Sequence, residues 1–294
     1  MNLRKLEVFV AVVEQKSFSG AAKTLPMAQS AVSIAIQKLE ESLGCLLLER
    51  KGRSIKATPD GESIYRQAKT LLTLVDTLKS SVSDNQTQLT GKLSLACPAM
   101  LAAYFLPDLL DRFLKLYPEL TADVAQAGSK RIEAMLLNDE IEVGVVNADN
   151  IDPALSTAPF IKEEMVACVA RDHPFSRLRH IRPSQFAGAP MALYESGYFL
   201  RTALQRLCTQ AGVQPDIRLQ TNFLPLIIRT VEQGFVSTVG LRIVAQQEPN
   251  LIAIPLRPKV AVNMAIAWRT GRPLSKASQA FIDWVAVDKK TFKY

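Results

Sequence analysis

Cysteine is scarce and scattered in this sequence: Cys45, Cys97, Cys168 and Cys208 include no CxxC pair. That spacing argues against a disulfide scaffold or a zinc knuckle, and reads as reduced, mostly buried thiols of a cytoplasmic protein. Histidine is scarcer still. His173 and His180 are the only two, seven residues apart in HPFSRLRH, which is not the spacing of a metal pair. No GxSxG, HExxH or phosphate-loop motif occurs, so the sequence signals no cofactor, no metal and no catalytic constellation. A run of about 18 apolar residues is also missing, and no membrane span is expected. The opening stretch, MNLRKLEVFVAVVEQKSF, is interrupted by Glu7, Glu14 and Lys16 and lacks a small-residue cleavage site, so it does not read as a secretory signal.

What is present is an ordinary globular composition, 48% hydrophobic and 21% charged, over 294 residues, enough for two or three domains. The formal charge of +7 makes a polyanionic partner plausible without proving one. Leu3, Leu6, Phe9, Val10 and Val13 recur at helical spacing, and two short helices with a tight break follow them. Small Ala21 and Ala22 permit close approach, and Val32, Ile36 and Leu39 would hold the second helix on a core. Gln29, Ser30, Ser33, Ile34 and Gln37 are then left facing outward. Short polar side chains at an exposed helix start are what a DNA major groove accepts. Gly44 ends that helix.

Two short extended runs flank Lys51-Gly52-Arg53, and Arg50, Lys51, Arg53 and Lys56 form the densest positive cluster of the chain. A basic hairpin tip beside a reading helix can contact phosphates or enter the minor groove. Taken singly, each segment is equally well a solvated helix face or a charged turn. Their order, directly after an amphipathic helix, favours nucleic-acid binding.

The stretch SFSGAAKTLPMAQSAVSIAIQKLEESLGCLLLERKGRSIKATPDGE resembles the winged helix-turn-helix of LysR-type transcriptional regulators. The matching elements are SF-x-x-AA-x-x-L, the Q-x-AVS-x-x-I-x-x-LE-x-x-LG helix, the L-x-ER-x-x-R wing and T-x-x-G. The resemblance implies double-stranded DNA as partner, with Gln29, Ser30 and Ser33 as recognition-helix contacts and Arg53 as the minor-groove reader. Two positions depart from the family pattern. Ser30 stands where proline is usual, and Ile34 where arginine is frequent; isoleucine can touch a thymine methyl but makes no charge-assisted contact.

Thr58-Pro59-Asp60 opens a further helix with a cap, a first-turn proline and an early carboxylate. Ile64, Ala68, Leu71, Val75, Leu78 and Val82 step along it at a mean period of 3.5, the seam of a left-handed coiled coil. Leu72 and Leu74 widen the apolar surface, so packing on the chain's own body is the alternative. The resemblance implies that this is the dimerising linker helix and that the final assembly is a tetramer. Ser80 to Thr90 reads as a polar hinge.

Beyond Gly91, strands and helices alternate, which implies an α/β fold. Strands are expected at 92–97, 120–125, 142–147, 166–170, 190–194, 217–221, 236–241, 251–256 and 262–268. Helices are expected at 101–116, 130–137, 199–211, 224–233 and 276–287. The resemblance implies a two-lobed effector-binding domain, similar to periplasmic solute-binding proteins, that closes on a small molecule. The expected divisions are 1–58 for the winged head, 59–90 for linker helix and hinge, and 91–294 for the effector domain. Within the last, the first lobe takes 91–162 plus 268–294 and the second 163–267.

In such a cleft, ligand contacts come from strand ends and helix starts. The candidates are Pro98, Ala99 and Met100, then Gly128 and Ser129, then Asn147. From the second lobe come Glu195, Ser196, Gly197, Tyr198 and Phe199, with Thr221, Asn222 and Phe223. Tyr198, Phe199 and Phe223 suit an apolar or aromatic ligand portion, whereas Glu195 argues against a purely anionic pocket. RNA polymerase is the expected downstream partner. An enzyme using one of the histidines and a solute-binding protein of a transport system are the rival readings, both weakened by the N-terminal block.

Overall fold

The computed structural model of the chain describes residues 2–51, 54–81 and 89–287. They fall into two compact units, one made of the described residues up to 81 with two short segments, 138–140 and 273–275, and the other of the rest from 89 on.

The first unit comprises α1 (Leu3–Gln15), α2 (Phe18–Thr24), α3 (Gln29–Leu43), β1 (Leu48–Lys51), β2 (Ser54–Ala57) and α4 (Pro59–Ser81). Each boundary has a local cause. The Asn2 side chain caps α1 by accepting from Lys5 N at 3.0 Å. Ser17 Oγ does the same for α2, accepting from Gly20 N. Gly44, at φ +71°, ends α3 in the left-handed region. Leu6, Phe9 and Val10 are buried as the spacing predicts, but so are Val8, Ala11 and Val12, while Leu3 is 42% exposed. α1 is therefore the central helix of this unit, covered by α2, α3 and α4 rather than on one stripe.

β1 and β2 pair antiparallel, Leu48 opposite Ala57 and Lys51 opposite Ser54. Glu40 of α3 ties this hairpin down, accepting from Leu47 N at 2.8 Å and Leu48 N at 3.2 Å. Thr58 fastens the other side: its hydroxyl donates to Leu46 O at 2.7 Å and accepts from Gly61 N at 2.9 Å. Gly61 has a steric reason as well, because a Cβ there would lie 2.0 Å from the Leu47 carbonyl oxygen.

The second unit holds β3 (Gly91–Cys97), α5 (Ala99–Tyr104), α6 (Leu106–Leu116), β4 (Leu120–Gln126), α7 (Ser129–Leu137), β5 (Val143–Asn147) and β6 (Leu155–Ala170). After two short 3-10 turns come β7 (Pro190–Leu193), α8 (Phe199–Gln210), β8 (Asp216–Gln220), α9 (Leu224–Glu232) and β9 (Thr238–Leu241). The unit ends with α10 (Arg242–Gln247), β10 (Leu251–Arg269) and α11 (Lys276–Val287). One sheet has the order β4-β3-β5-β10-β6-β9, and β7 pairs in parallel with β8. β5 is buried along its whole length, as a parallel-type strand covered on both faces should be.

β6 and β10 are the long members, and they join the two lobes. Near one end β10 pairs with β5 over Met264–Ala267; toward the other end β6 pairs with β9 over Met165–Cys168. The expected separate strands 251–256 and 262–268 are thus one strand, and 166–170 is only the end of a longer one. Pro255 and Pro258 suggest a break in the sequence. The ladder absorbs them through a register shift between Pro255 and Val260. The expected helix 101–116 is instead two helices, divided at Phe105 (φ −115°), with Pro107 in the first turn of the second. α10 had no counterpart in the sequence reading. Among the described residues, no helix is long and apolar enough to cross a membrane.

Candidate DNA-reading face and effector cleft

On α3, Val32, Ile36 and Leu39 are buried in the core of the first unit. Gln29, Ser30 and Gln37 are exposed on the other side, Ser33 is half-buried, and Ile34 is 51% exposed. Gln29 is oriented from α2, where Ser19 Oγ lies 2.9 Å from its Oε1. Gln37 bonds Glu41 along the helix. Arg50 and Lys51 belong to β1, and Arg53 lies outside the described residues.

Along α4, Ala68 is buried and Ile64 half-buried against the core of this same unit, so the start of the 3.5-period seam is used within the chain. Tyr65 Oη donates to Glu14 of α1 at 3.1 Å, and Lys69 pairs with the same carboxylate at 3.3 Å. Leu71 is 41% exposed and Val75 half-buried. The Leu78 side chain and all of Val82 lie outside the described residues.

In the second unit, a cleft opens where strand ends of the two lobes meet. Its empty volume, mouth included, is about 420 Å³. The first lobe contributes Pro98, Ala99, Met100 and Leu101 after β3, and Ser129 at the start of α7. The second contributes Tyr194 after β7, Tyr198, Phe199 and Leu200 at the start of α8, and Leu241 at the end of β9. Val262 and Met264 of β10 complete the lining. The Tyr194 and Tyr198 rings are stacked, centroids 4.8 Å apart and planes within 7°. Tyr198 bonds the Gln126 side chain, and burial pushes its phenol above the ordinary range. Tyr194 is only 4% exposed, and its hydroxyl is buried with no hydrogen-bond partner. Desolvation raises its pKa strongly, so the phenol stays protonated.

The lobes are also linked directly. Leu241 N lies 3.3 Å from the Met100 thioether, Gln126 Nε2 donates to Asn222 O at 3.0 Å, and Tyr104 Oη bonds Glu248 at 2.8 Å. A Cβ on Gly128 would meet Gly197 O at 3.0 Å and Tyr198 Cδ2 at 3.2 Å, so the two loops approach backbone to backbone.

Of the residues expected in this cleft, Pro98, Ala99, Met100, Ser129, Tyr198 and Phe199 line it. Gly128 and Gly197 flank it. Asn147 is buried opposite Met264 in the β5–β10 ladder, with its amide nitrogen unpartnered. Glu195 is exposed and held by Asn222, and Ser196 is also exposed. Thr221 caps the turn into Phe223, which is 63% exposed and not part of the lining. Sequence reasoning missed Leu101, Tyr194, Leu200, Leu241, Val262 and Met264. The two tyrosines four residues apart in YESGY were the one local signal; the others look like ordinary core.

Three of the four thiols are placed unlike reactive ones. Cys97 and Cys168 are fully buried, and burial pushes Cys168 up to about 12. Cys208 is buried too and raised by the same cause. His173 sits at the start of a 3-10 turn, its Nδ1 accepting from Phe175 N at 3.1 Å.

A model of the bacterial regulatory helix-turn-helix proteins of the lysR family matches residues 3–62, and the LysR substrate binding domain matches residues 86–288. The chain belongs to the LysR family. It is a DNA-binding transcription regulator with an effector-binding domain. A hydrogen peroxide-inducible genes activator of Pectobacterium carotovorum subsp. carotovorum is 27% identical over 97% of this chain and 96% of its own length. A full-length point variant of OxyR from Pseudomonas aeruginosa has the same fold, with TM-score 0.78 at 21% identity over 98% of this chain and 95% of that one. CbnR in complex with its target DNA superposes with TM-score 0.66 at 22% identity, covering 97% and 100%. The T-x-x-G of the LysR pattern has a physical meaning here: Thr58 and Gly61 lock the wing to the start of α4.

Proposed function

We propose that this LysR regulator binds promoter DNA as a homodimer joined through α4, assembled into a tetramer, and that it acts in the cytoplasm without catalysing a reaction. Gln29, Ser30, Ser33, Ile34 and Gln37 face the major groove, and Arg50, Lys51 and Arg53 hold the backbone and minor groove. The observation that carries this reading is the division of α3. Its inner face is fixed by Val32, Ile36 and Leu39, and its outer face carries short polar side chains around one exposed isoleucine. Two such helices on a two-fold axis match half-sites one helical turn apart.

Residues 1–58 form the head, 59–90 the linker and 91–294 the sensor, with lobes at 91–162 plus 268–294 and at 163–267. A small molecule in the cleft changes lobe closure because it binds one state more tightly than the other. The heads respond with altered spacing, the DNA bend changes, and so does recruitment of RNA polymerase. Footprinting upstream of the chain's own gene tests the core of this proposal. Lys51→Ala should weaken binding uniformly and lower the salt slope by about 1 per subunit. Gln29→Ala should relax discrimination at one base pair by about 1–3 kcal/mol. Binding with no salt dependence, or untouched by both changes, refutes it.

A further inference from the structure

The geometry of α3 singles out one side chain on its outer face, granted the reading of that face as the one that enters the major groove. A helix advances about 100° per residue, so positions can be placed round its axis from the buried line of Val32, Ile36 and Leu39. Gln29 and Ser33 then lie on a flank, about 50° and 90° round. Their surroundings agree: Ser33 is half-buried, and Gln29 Oε1 is turned to Ser19 of α2 at 2.9 Å. Ser30, Ile34 and Glu41 lie within about 30° of the point opposite the core, with Gln37 and Lys38 about 50° to either side.

The two ends of this outermost ridge differ in charge. Glu41, toward the end of α3, accepts from Gln37 Nε2 at 3.1 Å, and its carboxylate repels phosphates. Ser30 lies at the start, where no side chain caps the helix and the dipole favours the DNA backbone. The ridge therefore enters the groove by its Ser30 end. One turn on comes Ile34, 51% exposed, with only the short Ser30 in front of it. An isoleucine there gains by finding apolar surface with which to leave water. The occupant is DNA, because the helix-turn-helix matched over residues 3–62 contains all of α3 and the basic strand β1 follows it. A base pair shows one apolar group in the major groove, the C5-methyl of thymine, and a methylated cytosine carries the same group.

We propose that Ile34 is a specificity-determining residue, which selects a pyrimidine C5-methyl group in each half-site.

The test uses the full-length protein and double-stranded DNA selected by it from a random-sequence pool. The selected site should hold a thymine at one fixed position of each half-site. Uracil at that position removes only the methyl, and should weaken binding about fourfold per half-site, the worth of one buried methyl. 5-Methylcytosine there should bind about fourfold tighter than cytosine, which separates the methyl from the rest of the thymine edge. These arms use the parent protein, so no variant's folding enters them. Ile34→Ala should bind thymine and uracil sites alike, and Ile34→Arg should move the preference at that position to guanine. Thymine and uracil bound equally by the parent at every position overturn the proposal. So does a uracil penalty in Ile34→Ala as large as the parent's, or a selection that returns no fixed thymine. Salt-dependent binding that Lys51→Ala weakens, with no methyl effect, removes the role of Ile34 and leaves the DNA-reading face standing. Absence of salt-dependent DNA binding overturns both.

Discussion

Replacing Tyr194 by phenylalanine removes one oxygen and keeps the ring that stacks on Tyr198 at 4.8 Å. Ordinarily a buried Tyr→Phe change costs stability, because it breaks a hydrogen bond. Here the hydroxyl is buried without a partner, so the folded protein loses a desolvation cost of about 1–3 kcal/mol instead. Set against that are a few lost dispersion contacts of about 0.1–0.2 kcal/mol each. The net expectation is a gain of about 1 kcal/mol, which in a unit of this size is about 2–4 °C in midpoint. Trp268 and Trp284 are the only tryptophans and both lie in the second unit, so urea titration followed by tryptophan fluorescence reports on that unit. Tyr198→Phe is the control: its hydroxyl bonds Gln126, and the same chemical change four residues away should cost about 1 kcal/mol. A Tyr194→Phe protein less stable than the parent by about 1 kcal/mol or more refutes the reasoning, because the hydroxyl must then have an internal partner.

Gly61→Ala should destabilise the first unit by about 2–3 kcal/mol or more, since a carbonyl 2.0 Å from the new Cβ outweighs a helix-propensity gain of about 1 kcal/mol. Lost DNA affinity with an unchanged tryptophan transition would locate the damage there. Iodoacetamide on the native protein should modify half-buried Cys45 first and leave Cys97, Cys168 and Cys208 intact, as read by peptide mass spectrometry. Rapid labelling of Cys168 would contradict a thiol held at about 12. His173 has its pKa lowered, chiefly by burial, with Asp172 opposing. Its contribution to stability is therefore complete above the unfolded value of about 6.5 and is lost as pH falls below it. His173→Asn, which can still accept from Phe175 N, should flatten the stability profile between pH 7 and 5 measured by urea titration; a profile as steep as the parent's would assign the loss to other groups.

The DNA-reading head was legible in the sequence because its determinants are local. Ser17, Gly44 and Thr58 each cap or turn a backbone within a few residues of themselves, and Glu40 and Gly61 act on the Leu47 backbone within the same short stretch of chain, which a motif can encode. The α/β alternation was legible for the same reason, since each element carries its own periodicity. Tertiary structure decided the rest. Ile64 and Ala68 step like a pairing seam, yet the core around α1 claims them. Pro255 and Pro258 look like strand breakers, yet a register shift carries β10 through both lobes. The cleft itself depends on that long strand. Val262 and Met264 reach it from mid-strand, Leu241 from the end of β9 and Tyr194 from the end of β7. No local pattern joins them. Whether a hydroxyl such as that of Tyr194 finds a partner depends on every element packed around it, and that is a property of the fold alone.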